Sequence, residues 1–199
     1  NRMIANTIQT LKANPRPGRP DKSIIELLSL TLKTNDFNFN GNTYLQTTGC
    51  AMGKRYSPSL ANNYLRDFDH HAMTRFRIRP IKYFRYLDDL LLIWPGSRQD
   101  LLDFENYLNQ LTPGIKITFE ASEHSINFLD TTLFKHQLGD STTLQTKVYF
   151  KETDSHQLID TTSFHPAHTA RGVLKSQLIR FKRLSSFKTD YDTACTTLF

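Results

Sequence analysis

Apolar residues recur at helical spacing in two N-terminal stretches. Ile4, Ile8 and Leu11 predict a helix over 3–13, and Ile24, Leu27, Leu28, Thr31 and Leu32 predict one over 22–33. Between them Pro15, Pro17, Gly18 and Pro20 make a breaker-rich loop, with Asp21 or Ser23 placed to cap the second helix. Residues 37–45 alternate around Asn40-Gly41, the strongest short hairpin signal. A glycine-containing loop over 49–58 closes on Ser57-Pro58, a favoured helix start, and Leu60, Tyr64, Phe68, Ala72 and Phe76 continue it as a helical stripe with Leu65 alongside. Two strand-like runs, 81–86 and 90–94, are joined through Leu87, Asp88 and Asp89. Ser97 with Asp100 reads as a capping box before the amphipathic helix of Leu101, Phe104, Leu108 and Leu111, which Pro113-Gly114 ends. Strands are predicted at 115–120, 126–134 and 144–150, and a helix at 173–187. The order after Pro58 predicts an α+β fold in which helices pack on one face of an antiparallel sheet.

With 199 residues, 38% of them hydrophobic and 22% charged, and with 14 Phe and 8 Tyr, the chain has material for a real core in one domain or in a domain plus a small lobe. Low complexity and global disorder are excluded. Two cysteines, Cys50 and Cys195, exclude a disulfide scaffold and a four-cysteine zinc site and point to a reducing, intracellular setting. The longest apolar run, 90–94, falls far short of the ~18 residues of a membrane span, so no membrane partner is expected. The opening residues, Asn1-Arg2-Met3-Ile4, lack signal-peptide organisation and do not begin with Met, which suggests a piece of a longer chain.

Net charge is +6, and residues 161–189 contain no acid but six bases: Arg171, Lys175, Arg180, Lys182, Arg183 and Lys188. Those six equal the whole excess, since the other 19 bases balance 19 acids. Such a run attracts a phosphate backbone, the alternative being a solvated helix face. His165 and His168 are spaced like metal ligands but lack a third partner, and they read as a capped turn at Pro166.

Asp88 and Asp89 carry the sharpest chemistry. They interrupt an apolar and aromatic span, with Tyr83, Phe84 and Tyr86 before them and Leu90 to Trp94 after. At the tip of a buried hairpin, two adjacent carboxylates repel each other and resist dehydration. A divalent cation relieves both problems, and two such ions can clamp the attacking and leaving oxygens of a phosphoryl transfer. An ordinary Asp-rich turn is the alternative.

Tyr86-Leu87-Asp88-Asp89 resembles the YxDD signature of reverse transcriptases. Residues 49–62, Gly49-Cys50-Ala51-Met52-Gly53-Lys54-Arg55-Tyr56-Ser57-Pro58-Ser59-Leu60-Ala61-Asn62, resemble the preceding motif of the same enzymes, which in many retroelements runs G-x-x-Q-G-x-x-x-S-P-x-x-x-N. Met52 stands where most of the family has Gln. Together with Tyr44-Leu45-Gln46-Thr47-Thr48-Gly49, this is most similar to the Penelope-like retroelements, whose version reads roughly Y-x-Q-x-x-G-x-x-M-G-x-x-x-S-P-x-x-A-N. Further matches are Ile126-Asn127-Phe128-Leu129-Asp130, the run Lys151, Thr153, Asp154, Ser155 and His156, then Ser163-Phe164-His165-Pro166 and Arg180. The resemblance covers about 37–186, with several motifs in order.

The resemblance implies a right-hand polymerase palm with the start of a helical thumb. Residues 1–45 would be a residual helix-loop-helix and hairpin, 46–135 the palm with its catalytic hairpin, and 136–199 the end of the palm and a basic thumb. Asp88 would be the principal ligand and Asp89 the secondary ligand of two Mg2+ ions, or Mn2+. Gly53, Ser57 and Pro58 would shape the loop where incoming nucleotide meets template, supported by Gln46 and Asn62. Lys54 and Arg55 would meet triphosphate or template phosphates, unless they are a solvated loop tip. Tyr86 would support the primer end, unless it is core. Arg171, Lys175, Arg180, Lys182 and Arg183 would track the primer-template backbone. The implied partners are an RNA template, a DNA primer and deoxynucleoside triphosphates, in an intracellular, nuclear setting.

Right-hand polymerases also need a carboxylate on the first palm strand. Asp21, Glu26 and Asp36 are the only acids near the right order, and all three are rejected: Asp21 lies in a proline-rich loop, and Asp36 immediately precedes the hairpin and sits too close to Gly49. The upstream strand, most of the fingers and a downstream GIY-YIG endonuclease domain are expected in the full-length protein. This chain alone is therefore expected to be inactive, because positioning and charge neutralisation supply nearly all of phosphoryl-transfer catalysis. The alternatives are a nucleic-acid-binding remnant without chemistry, and a decayed reading frame with an exposed sheet edge.

Overall fold

The computed structural model describes residues 2–112, 114–160 and 162–198. It divides the chain into two compact units, Asn1–Phe119 and Glu120–Phe199, and both are mixed α and β.

The first unit opens with α1 (Arg2–Ala13) and α2 (Asp21–Lys33). Neither Asp21 nor Ser23 caps α2: Pro20 takes that position, while Asp21 lies inside the first turn and pairs with Arg19. Arg19 also donates to the Leu11 carbonyl (2.8 Å), which closes the proline-rich loop back onto α1. The expected hairpin follows as β1 (Asp36–Phe39) and β2 (Asn42–Leu45). Asn40 and Gly41 both have positive φ (48° and 78°), as a two-residue type I′ connection requires.

Next comes α3 (Ser57–Thr74), with Pro58 in its first turn and Leu60, Phe68 and Ala72 buried along its stripe. A polar seam joins it to α1. Buried Asn6 donates to the Asn63 and Tyr64 carbonyls (3.5 and 3.4 Å), and Asn63 donates to Thr7 (3.2 Å).

Strands β3 (Lys82–Tyr86) and β4 (Asp89–Ile93) form the second hairpin, and α4 (Arg98–Leu111) starts at the anticipated Ser97–Asp100 capping box. The core of this unit is Phe68, Ala72, Phe104 and Leu108. Tyr83 and Leu92 bring the underside of the β3–β4 hairpin onto it, and Trp94 stacks on Phe104 at 4.9 Å. Pro113, expected to end α4, lies outside the described residues; Thr112 is the C-cap.

Residues 115–120 are not a strand. Their main chain bonds instead to α4 side chains, with Asn109 pairing both ways with Ile117 (2.7 and 2.8 Å) and Glu105 accepting from the Phe119 amide (2.8 Å). Alternation buries Ile117 and Phe119 as a strand would, while side chains supply the partners that a neighbouring strand would have offered.

The second unit is built on a meander of β5 (Ser125–Phe128), β6 (Thr131–Leu138) and β7 (Ser141–Val148), paired antiparallel in that order. The single strand expected at 126–134 is broken by a tight turn at Leu129-Asp130, where Leu129 has φ 54°. Helices α5 (Ala167–Leu184) and α6 (Lys188–Leu198) follow. Buried Phe181 meets Phe150 edge-on at 5.5 Å, and the Ser186 amide between the helices donates to the Thr146 carbonyl (2.8 Å) on β7. The expected antiparallel pairing is present, but as two separate two-stranded hairpins in the first unit and one three-stranded sheet in the second.

Candidate functional site

The acidic turn is tighter than the sequence suggested. Tyr86 pairs with Asp89, so Asp89 is the first residue of β4 and the turn itself is Leu87-Asp88. Leu87 has φ 55°, a left-handed conformation that costs a side-chain-bearing residue roughly 1–2 kcal/mol and is held only where its surroundings impose it.

Both carboxylates are exposed, which corrects the expectation of a buried tip: dehydration is no issue, and water and salt screen their repulsion. Among the described residues, neither side chain has a hydrogen-bond or ion-pair partner. Adjacent, accessible, unpartnered hard oxygens suit a divalent cation. Among the described residues no group of three His, Cys, Asp or Glu side chains gathers to complete such a site.

Beneath the turn lies a network that the sequence did not announce. Arg85 donates through Nε to both Asp69 oxygens (2.8 and 3.0 Å) and through Nη2 to Oδ2 (2.6 Å). Its Nη1 donates to Asn62 Oδ1 (2.8 Å) and to the Leu87 carbonyl (3.0 Å). Tyr83 donates its hydroxyl to the same Asp69 (2.7 Å), and burial, with the bond to that carboxylate, pushes the phenol well above its ordinary range. The bond to Asp69 likewise raises Arg85, which stays a cation. In the alternating hairpin Tyr83 and Arg85 face inward towards α3, while Phe84 and Tyr86 face out. Tyr86 is 60% exposed, so it is not core. The only signal for the network was a charged residue at an inward position of that alternation.

The loop before α3 holds itself. Gln46 accepts from Asn35 Nδ2 (2.7 Å) and donates to the Thr48 carbonyl (2.9 Å), fixing the end of β2 to the loop. Buried Ser57 donates its hydroxyl to the Ala51 carbonyl (2.6 Å) and its amide to the Lys54 carbonyl (3.0 Å). Gly53 has φ 81° with open space where a Cβ would stand, so the backbone turn, not a close neighbour, explains the glycine. Lys54, Arg55 and Pro58 are exposed. Of the predicted loop residues, Asn62 is the one tied to the acidic hairpin, through Arg85.

In the second unit, the five basic residues assigned to a nucleic-acid backbone divide. At 100° per residue, Arg171, Lys175 and Lys182 fall within about 40° of one another on α5; with Arg183 they are exposed and lack acidic partners among the described residues. Arg180 instead pairs with Asp130. This pair lines a cavity of about 200 Å3 with Asp154, His156 and Gln177, so three of the sequence matches, 126–130, 151–156 and Arg180, meet there. Ser163 contacts His165 Nδ1 and the chain turns into α5 at Pro166, although no side chain caps that helix start.

Among the described residues, no helix is long and apolar enough to cross a membrane. Compared with known proteins, the chain matches no family model, no curated protein and no solved structure.

Proposed function

We propose that the chain is part of a retroelement reverse transcriptase, a palm fragment with the start of its thumb, working on an RNA template and a DNA primer in the nucleus. One observation carries this reading most directly. The YxDD-like segment forms a strained two-residue turn with two free carboxylates, and Arg85 ties that turn to the helix that the glycine loop leads into. In the sequence those two motifs stand 24 residues apart, from Asn62 to Tyr86.

In this reading Asp88 and Asp89 hold Mg2+ or Mn2+, which when bound neutralises and orients the oxygens of a transferring phosphoryl group. Gly53, Ser57 and Pro58 set the path of the loop, and exposed Lys54 and Arg55 attract phosphate. Exposed Tyr86, opposite Asp89, offers a ring to a primer-end sugar or base. Among the described residues no third carboxylate joins Asp88 and Asp89, so in this reading the 199-residue chain alone does not polymerise.

The test is extension of primed poly(rA) with dTTP and Mg2+ or Mn2+. The chain as it stands gives none. A longer in-frame chain carrying an Asp-bearing strand extends the primer and loses that activity on Asp88→Asn. A folded longer chain that never extends the primer contradicts the reading. A second reading, a binding remnant without chemistry, is favoured by the unpaired bases of α5. It predicts salt-dependent duplex binding with no incorporation from the longer chain.

A further inference from the structure

We propose that the Asp69–Arg85 pair is a positioning device for the acidic turn: it clamps the Leu87 carbonyl and keeps the Arg85 guanidinium away from Asp88 and Asp89. Arg85 lies three residues from Asp88 on the same hairpin. A free guanidinium there would be drawn to two adjacent carboxylates, because a forked, charge-assisted pair is the strongest contact either could make.

The structure shows that guanidinium engaged away from both carboxylates. Four of its five N–H groups are in use: Nε and one Nη2 hydrogen on Asp69, and both Nη1 hydrogens on Asn62 and Leu87. The side chain is only 11% exposed. Asp69 is itself held by the Tyr83 hydroxyl, so the anchor does not depend on the arginine alone.

Two consequences follow. Leu87 keeps its left-handed φ because its carbonyl is bonded to a fixed donor. The doublet is also left without a cationic partner among the described residues. Only the second consequence rests on reading Asp88 and Asp89 as cation ligands; the first concerns the turn itself.

The experiment uses the 15N-labelled 199-residue chain, with amide exchange of residues 87–89 as one readout and Mn2+ affinity by paramagnetic resonance as the other. Arg85→Lys keeps the charge and loses the fork. Exchange at 87–89 should rise about tenfold while the α4 amides stay unchanged, since local opening is separable from global unfolding. Asn62→Ala removes one exposed bond to the same Nη1, and a smaller rise in the same amides decides the matter if the lysine variant does not fold.

Asp69→Asn frees the guanidinium and should weaken Mn2+ binding several-fold. Adding Arg85→Gln to it should restore affinity although the turn stays loose, which a purely structural role would not do. Unchanged exchange at 87–89 in Arg85→Lys, or in Asn62→Ala where that variant has to decide, overturns the positioning claim. Failure of the double variant to recover overturns the sequestration claim. A wild-type chain that binds no Mn2+ sinks the cation reading and the sequestration claim with it, while the exchange readout still decides the role of Arg85 in the turn.

Discussion

In the first unit Arg85 is bonded to Asp69 while Asp88 and Asp89 have no partner; in the second, Arg180 is bonded to Asp130 while Arg171, Lys175, Lys182 and Arg183 have none among the described residues. On the β3–β4 hairpin and on α5 alike, an aspartate takes one arginine out of circulation beside exposed charge of a single sign, negative on the turn and positive on the helix face. The two pairs differ in grip. The Asp69–Arg85 pair is bidentate, reinforced by Tyr83 and Asn62, and its arginine side chain is 11% exposed. Arg180 makes one contact to Asp130, and 46% of its side chain is in water. A pair open to solvent contributes about 0–1 kcal/mol, whereas a buried, forked one dictates local geometry. Charges that fix local geometry are thereby distinguished from charges left unpaired, which a count of charged residues does not do.

The largest expected effect comes from removing what the acidic hairpin stands on. Phe104 is fully buried against Trp94, and Phe104→Ala should cost about 3–5 kcal/mol. Trp94 is the only tryptophan of the sequence, so its fluorescence during urea unfolding reads that loss directly. Destabilisation below about 1 kcal/mol would mean that the hairpin is not supported by this core.

Next comes the division of the basic helix. Replacing Arg171, Lys175 and Lys182 together by alanine should weaken binding to an RNA–DNA duplex and flatten the slope of log K against log salt by about 2.5–3, three phosphate contacts' worth. Arg180→Ala should leave the slope unchanged and lower stability by no more than about 1 kcal/mol. Anisotropy titrations at several salt concentrations check both, and a slope that moves equally in the two variants erases the distinction.

The smallest effect sharpens the hairpin's exit into α4. The Ser97 hydroxyl and amide hold the Asp100 carboxyl below its ordinary value of 3.8, with Arg77 adding to the effect. A group whose folded pKa is depressed stabilises the fold above its unfolded pKa and loses that contribution as pH falls through the folded one. Stability followed from pH 5 down to about pH 2 should therefore decline less in Ser97→Ala than in wild type, starting from a lower plateau. Parallel curves would exclude the capping box as the source.

Local signals were legible in the sequence. Asn40-Gly41 announced its hairpin, Ser97 and Asp100 their box, and Asp88-Asp89 a turn, because each depends on residues within four positions of one another. What escaped depends on distance. The role of Arg85 is set by Asp69, sixteen residues away on another element. The segment 115–120 has the alternation of a strand but finds side-chain partners on α4. The exposure of the doublet could not be read from apolar neighbours, since Leu92 and Trp94 pack on a core from which the tip of the hairpin projects. Helix α6 did leave a trace, Tyr191, Ala194, Cys195 and Leu198 at i, i+3, i+4 and i+7, diluted by threonines and aspartates between them.

The central claim is that the exposed Asp88–Asp89 pair holds a divalent cation. Mn2+ added in small steps to the 15N-labelled chain should broaden the amide signals of residues 87–89 before all others, and Asp88→Asn with Asp89→Asn should abolish that broadening. Signals at the turn that persist while acidic surfaces elsewhere broaden first would contradict the claim.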